Sequence, residues 1–454
     1  MVEAMANGIE DKLIDGLSFR MQPGASYVVD RRSVTYHPQG SNIYKPLAGT
    51  KLIRILLTGD NWLDPSTLRI MLNVNNDNTT AAKKLYVIGG PWFFFRRMRI
   101  LAAGQLVEDV DNYNRIHEMM NNLIASESRA NQAAEHFGFN WNNDSLASGY
   151  SSNPCIKGGQ SLTVLFKPLS GLLNQNKMLP IRYAPITIEL ELADKPLDPI
   201  IDPATSNTDQ YDTTNTSTEW SINNVQVKVD VCTLDNALDN SYAQHLLSGR
   251  SLPISYNTFV SQLQTIAGQD APLTNVSRAL TRLKSVFVTL LKDSTDGVNR
   301  RFWNNFFSPT QPENTAALAP EANGEFEFQL QIGSKLFPEY PIRSHNEAYY
   351  QLAKALGVQA SALHNFDISA REYRSTKFIL GTDCEKVLDA GFTGLNTRAG
   401  DLMSTKLKYA DKAANRLADR IHIVLHSDQI LEMHDSGCAV FDSKRLVSRN
   451  ELEE

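Results

Sequence analysis

Two-residue alternation of apolar and polar side chains recurs in both halves of the chain and restricts its folds more than any other feature. Ile186, Ile188, Leu190 and Leu192 fall on one side of a pleated strand, and Thr187, Glu189 and Glu191 on the other. Val225, Val227, Val229 and Val231 alternate in the same way with Gln226, Lys228 and Asp230. In the second half Phe326, Phe328, Leu330 and Ile332 alternate with Glu327, Gln329 and Gln331. Successive strand side chains point to opposite faces, so each segment predicts a strand with one buried face. Further strands are expected at 17–22, 26–37, 51–59, 67–74, 92–102, 161–167, 284–292, 374–381, 403–409 and 420–427. Many short strands punctuated by Gly, Pro and Asn predict an all-β sandwich or barrel, not strand–helix–strand units.

Helical periodicity is confined to a few places. Asp111 is expected to cap a short helix carrying Tyr113, Ile116, Met120 and Leu123. Ser344 and Glu347 form a capping box ahead of Tyr349, Leu352 and Leu356, and Gly357 closes that helix. A third helix, from Asp235 through Leu238, Tyr242 and Leu246 to Gly249, lies near the middle of the 454 residues. It reads as a connection between halves. The first two helices reveal an internal echo: a strand, a glycine (Gly104 or Gly333), a turn, then an amphipathic helix with Glu118 or Glu347. A unit that recurs at half the chain length implies a duplicated domain, whereas a solenoid would repeat every ~20–50 residues. The length suits two domains of roughly 200 residues each.

No apolar run reaches the ~18 residues of a membrane span. The N-terminal segment lacks a basic region followed by an apolar stretch, so no secretory signal is expected, and the sequons at Asn78, Asn143, Asn215 and Asn275 are expected to stay unmodified. Cys155, Cys232, Cys384 and Cys438 are widely spaced, which argues against a disulfide framework or structural zinc and for a cytosolic or nuclear folding compartment. A net charge of −6 argues against condensation of nucleic acid through bulk charge. The polar stretches 124–160, 200–219, 293–323 and 382–402 read as loops suited to recognition or inter-subunit contact.

Candidate sites are few. Glu189 and Glu191 share a strand face with α-carbons ~6.5 Å apart; paired carboxylates serve glycoside hydrolysis, but neighbours on one strand rarely flank a bond, so they read as solvating that face. His422 and His426, with His434 nearby, would face one metal on a helix. In the strand-like RIHIVLH they stand ~13 Å apart, too far for one zinc with ~2.0–2.1 Å bonds. Asp60, Asp64 and Asp77 could supply oxygens to calcium, with turn capping the commoner use of such residues. Arg96, Arg97 and Arg99 follow the aromatic block of Trp92–Phe95 without interleaving, which favours a buried strand emerging at an interface over a single-strand nucleic-acid platform. No nucleophile elbow, phosphate-binding loop or paired-histidine zinc motif occurs, and no cofactor is expected.

Three segments carry a family resemblance: GDNWLDPSTLRI at Gly59–Ile70, RILAAGQLVEDVDNYNRIHEMM, and NQNKMLPIRYAPITIELELAD at Asn174–Asp194. Together they resemble the double jelly-roll major capsid proteins of tailless icosahedral DNA viruses of the polinton-like and virophage-like groups. The resemblance implies two consecutive jelly-roll β-sandwich domains with a few short helices. It places an N-terminal arm at 1–16, the first jelly roll at 17–234, a helical connection at 235–250, the second jelly roll at 251–442 and a C-terminal tail at 443–454. It further implies a non-enzymatic homotrimer, forming pseudohexagonal capsomers that tile an icosahedral shell in the virion. Its partners would be its own copies, penton and minor capsid proteins and, weakly through Arg96, Arg97 and Arg99, packaged nucleic acid; synthesis would be in the host cytoplasm, with assembly there or in the nucleus. The competing expectation is a two-domain β-sandwich that binds or processes carbohydrate, stacking sugars on Phe139, Trp141 and Tyr150.

Overall fold

The computed structural model describes residues 27–47, 49–137, 155–200, 215–266, 271–291, 306, 308, 326–357, 367–375, 377–387, 393–397, 402–409, 418–435 and 437–441. The strand expected at 17–22, both terminal arms, and Phe139, Trp141 and Tyr150 lie outside them. Eight principal strands precede a central helix: β1 (Val28–Tyr36), β2 (Leu52–Leu57), β3 (Trp62–Asn76), β4 (Phe95–Ala102), β5 (Gln105–Asp111), β6 (Ser161–Phe166), β7 (Ile186–Leu192) and β8 (Trp220–Leu234). They form two antiparallel sheets in the orders β1-β8-β3-β6 and β2-β7-β4-β5. Eight more follow: β9 (Leu252–Thr265), β10 (Leu273–Val276), β11 (Leu283–Leu291), β12 (Phe326–Ile332), β13 (Lys335–Ile342), β14 (Leu380–Asp383), β15 (Met403–Tyr409) and β16 (Arg420–His434). Their orders, β9-β16-β11-β14 and β10-β15-β12-β13, repeat the first set pair for pair. Two four-stranded sheets whose successive strands cross from one sheet to the other make a jelly roll, and the chain contains two. A last strand, β17 (Gly437–Phe441), folds back on β16.

The inward faces are those the alternation marks: Ile186, Ile188, Leu190 and Leu192 are fully buried, as are Phe326, Phe328 and Leu330. The internal echo is closer than the sequence implies. The segments expected to be turns are strands, β5 and β13, each joined to its predecessor by a two-residue hairpin. Ala103 and Gly104 have φ of 48° and 82°, both positive as a type I′ turn requires; Gly333, at 60°, opens the equivalent turn. Each unit then runs into a helix, α1 (Tyr113–Asn122) or α5 (His345–Ala355).

Several local expectations need correction. Trp92–Phe94 lie in a 3₁₀ turn, Pro91–Phe94, because proline at the first position favours a helical start; the strand begins only at Phe95. Asn112, not Asp111, precedes α1, and its left-handed φ of 52° makes the corner; the buried face is Tyr113, Ile116 and Met119. Over 374–381 only the end is strand, preceded by the short helix α6 (Ala370–Ser375). The Gly59–Ile70 corner is largely inside β3, where Pro65 sits at an irregularity in pairing with β8. The central helix α4 (Asn236–Leu247) is capped by Asp235, whose carboxylate accepts from Ala237 N at 3.1 Å. It docks on the first roll through Trp62, which packs 4.8 Å from Tyr242, and through Arg182, 3.1 Å from Asp239. Among the described residues no helix is long and apolar enough to cross a membrane.

Candidate assembly interface

The two rolls meet where β5, the outer strand of one first-roll sheet, lies against β9, the outer strand of a second-roll sheet. Val107 and Val110 of β5 are buried, and between them Glu108 is buried too. Its carboxylate accepts from the hydroxyl of Ser170, from Gly171 N at 3.0 Å and Leu172 N at 3.4 Å, and bonds Thr258 of β9 across the junction. Glu108 and the Ser170 cap thus hold the first turn of α3 (Gly171–Asn174) against the seam. Burial pushes the Glu108 carboxyl up to about 7, against the pull of these hydrogen bonds. Beside it, Tyr256 Oη lies 3.1 Å from Val107 O, Ser261 Oγ donates to Asp111 O at 2.8 Å, and Lys177 Nζ donates to Pro253 O at 2.9 Å. Gly171 touches Asn257 so closely that a Cβ there would stand 1.6 Å from the Asn257 carbonyl oxygen.

His422 and His426 lie on β16, and neither joins a metal cluster. His426 stacks on Phe259 at 4.9 Å and bonds Ser285 at 3.2 Å. His422 is 1% exposed, with no hydrogen-bond partner for either ring nitrogen among the described residues. Burial lowers both to about 3, with the positive charge of Arg115 acting on His422 and that of Lys284 on His426. Arg115, itself buried, lies over the Phe306 ring at 5.4 Å and so carries first-roll α1 onto second-roll residues. His434 pairs with Glu432 at 3.6 Å.

Arg96, Arg97 and Arg99 project from β4 into a row of carboxylates. Arg96 reaches Asp194 at 2.9 Å and Asp111 at 3.5 Å, Arg97 reaches Asp109 at 2.6 Å, and Arg99 reaches Glu189 at 2.8 Å. Glu189 also holds Arg54, and Glu191 lies 3.9 Å from Arg96. The two glutamates are therefore counter-ions in a lattice of four arginines and five carboxylates. Replacing Glu189 with Ala leaves Arg54 and Arg99 without that partner, and denaturant titration should show a loss of about 2 kcal/mol. A change within the ~0.5 kcal/mol of ordinary surface substitutions would show that the lattice adds nothing to stability. The aspartates proposed for calcium are not brought together. Asp64 is satisfied by Ser66 and Arg31, and Asp77, beyond the far end of β3, by Lys45 and Ser221. Glu108, Gly171 and Ser261 carry no motif; the only local signal is the serine cap before Gly171.

No family model matches the chain, and no curated protein matches it. Its fold does match solved structures. VP54 of PBCV-1, in a crystal structure fitted into a reconstruction of the virophage Sputnik, superposes with a TM-score of 0.60 at 9% identity, covering 93% of this chain and 98% of that one. The Faustovirus major capsid protein gives 0.58 at 8%, covering 92% of each. A Sputnik virophage chain solved by cryo-EM gives 0.58 at 10%, covering 96% and 95%. The chain has the double jelly-roll fold of viral major capsid proteins. Within this double jelly roll the strands equivalent to β9 and β5 are β1 and β13, and among the described residues neither has a further strand on its outer edge. Tyr27 and Val29 at β1 are 62% and 67% exposed, and Tyr340 of β13 is 78% exposed.

Proposed function

We propose that the chain is a viral major capsid protein that homotrimerises into pseudohexagonal capsomers tiling an icosahedral shell around the genome. The observation that carries this reading is the seam between the rolls. It joins β5 of the first roll to β9 of the second, and among the described residues the equivalent strands, β13 and β1, have no such partner. A second copy offers to each open strand the partner that its counterpart already has within the chain. Such a head-to-tail contact, if the rotation closes, makes a ring; three chains with two rolls each supply six similar units. The division at α4, with rolls at 17–234 and 251–442, follows from the same repeat. The role is structural, and the partners are further copies together with penton and minor capsid proteins, in the virion. Arg96, Arg97 and Arg99 enter this scheme as an already paired surface near an interface, not as a free basic cluster.

Light scattering coupled to size exclusion tests it. A species of three chain masses is expected, and Tyr340→Asp should weaken it by about tenfold or more, as loss of an interface tyrosine does, while leaving the monomer's melting temperature unchanged. A monomer at every concentration would overturn the reading.

A further inference from the structure

We infer that the first roll carries a binding site for an uncharged saccharide, in a pocket of about 500 Å³ where β8 loses its neighbour. The pocket follows from the pairing. Strand β1 accompanies β8 only as far as Tyr36 opposite Val227, and the short Ile43–Tyr44 segment takes up the same edge at Asn223 and Ile222. Between them Asn224 adopts a left-handed φ of 49°, and the register to β3 slips between Asn223 and Gln226. An extra residue in one strand bends it and frees backbone and side chains from the ladder. What opens is a recess between the end of β1 and the Ile43 segment.

Its chemistry is amide-rich, and His37 is the one ionisable side chain among the described lining residues. Asn42, Asn73, Asn223 and Asn224 line it with His37, and no carboxylate, lysine or arginine does. Asn73 uses its side-chain oxygen to accept from Thr163 at 2.7 Å, and Asn224 uses its own to accept from Gln226 at 2.8 Å. Each therefore keeps an NH₂ group to donate. Asn223 Oδ1 is buried without a hydrogen-bond partner among the described residues, an acceptor that a ligand hydroxyl would satisfy. Pro38 and Val225 supply apolar surface for the C–H face of a ring. Donors and acceptors in similar number, with no carboxylate, lysine or arginine among the described lining residues, match vicinal hydroxyls. The volume lies within the usual range for small-ligand sites.

The recess also lies at the end of the roll where long connections emerge, 77–94 after β3 and 193–219 before β8. The opposite end has the short turns 58–61 and 103–104 together with the connections 167–185 and 235–251. The site does not depend on the capsid reading: a sugar-binding monomer keeps it, and a trimer that binds no sugar overturns it alone.

Saturation-transfer NMR on the full chain, with a panel of neutral mono- and oligosaccharides and gluconate as the charged control, tests it. Saturable transfer from at least one neutral sugar and none from gluconate is expected. Asn224→Gly keeps the left-handed backbone and removes the amide, and Asn73→Ala removes the second donor; each should weaken binding by about tenfold. Absence of saturable transfer from every neutral sugar overturns the inference, as does binding that both variants leave unchanged.

Discussion

Gly171→Ala is expected to part the two jelly rolls. The added Cβ would stand 1.6 Å from the Asn257 carbonyl oxygen, 2.6 Å from its carbon and 2.8 Å from its nitrogen. All three are backbone atoms of β9, which is held along its length to β16, so no side chain can swing aside. Either α3 lifts from the seam or β9 moves as a body. Local propensity acts in the opposite direction, since alanine in a helical turn is favoured over glycine by about 1 kcal/mol. A net loss therefore reports the clash. We expect a loss of at least about 3 kcal/mol, the upper end for an overpacked site, and unfolding in two steps where the parent chain unfolds in one. Gly104→Ala is the control. Its φ of 82° strains alanine, but nothing lies within 4 Å of the new Cβ, so the rolls should stay coupled. A Gly171→Ala chain within 0.5 kcal/mol of the parent, roughly the scatter of neutral substitutions, would show that the seam is soft.

The seam also explains which parts of the fold were legible in the sequence. Strands β7, β8 and β12 alternate because one face meets a core and the other meets water, or in β7 an ion lattice. Strand β9 is harder to read, because its buried positions include the polar residues Tyr256, Thr258 and Ser261, which meet the polar contacts of the seam. In β5 Glu108 interrupts the apolar pattern for the same reason, and the segment reads as a turn. His422 and His426 share a spacing that would suit ligands on a helix; on β16 both are rings whose protonation burial disfavours. Glu108 and Thr258 are far apart in the chain, and the saccharide recess joins Ile43, Asn73 and Asn223 through a bulge that no local pattern announces. Family segments in the first half resemble the fold's known members, while the matching sheet orders of the two rolls show that the second half repeats it strand for strand.

Glu108→Gln should stabilise the protein at pH 8 and change little at pH 5. In the folded chain burial raises the Glu108 carboxyl to about 7 from an ordinary 4.5. Its hydrogen-bond partners are Ser170, Gly171 N, Leu172 N and Thr258, all neutral, and the nearby Tyr113 phenol, also buried, is itself raised. Among the described residues burial outweighs these neutral hydrogen bonds in setting the carboxyl. Because the folded value exceeds the unfolded one, the contribution is fully present below pH 4.5 and is lost as pH rises through 7. The difference amounts to about 3 kcal/mol, which glutamine, neutral at every pH, does not forfeit. His422 and His426 act with the opposite sign. Burial lowers both to about 3, so their contribution is present above the ordinary 6.5 and is lost as pH falls towards 3. Between pH 6.5 and 4.5 the two histidines outweigh the one carboxyl, and stability falls on acidification; between 6.5 and 7 the carboxyl alone acts and stability rises on acidification. These three groups therefore place the optimum near pH 6.5, and removing Glu108 should abolish the decline between pH 6.5 and 7 and steepen the decline between 6.5 and 4.5, where the carboxyl opposes the histidines. Urea titrations of both proteins at pH 5, 6.5 and 8 measure this directly. An equal difference at all three pH values would mean that Glu108 is ionised or neutral throughout, and that the seam between the rolls does not respond to protons at this residue.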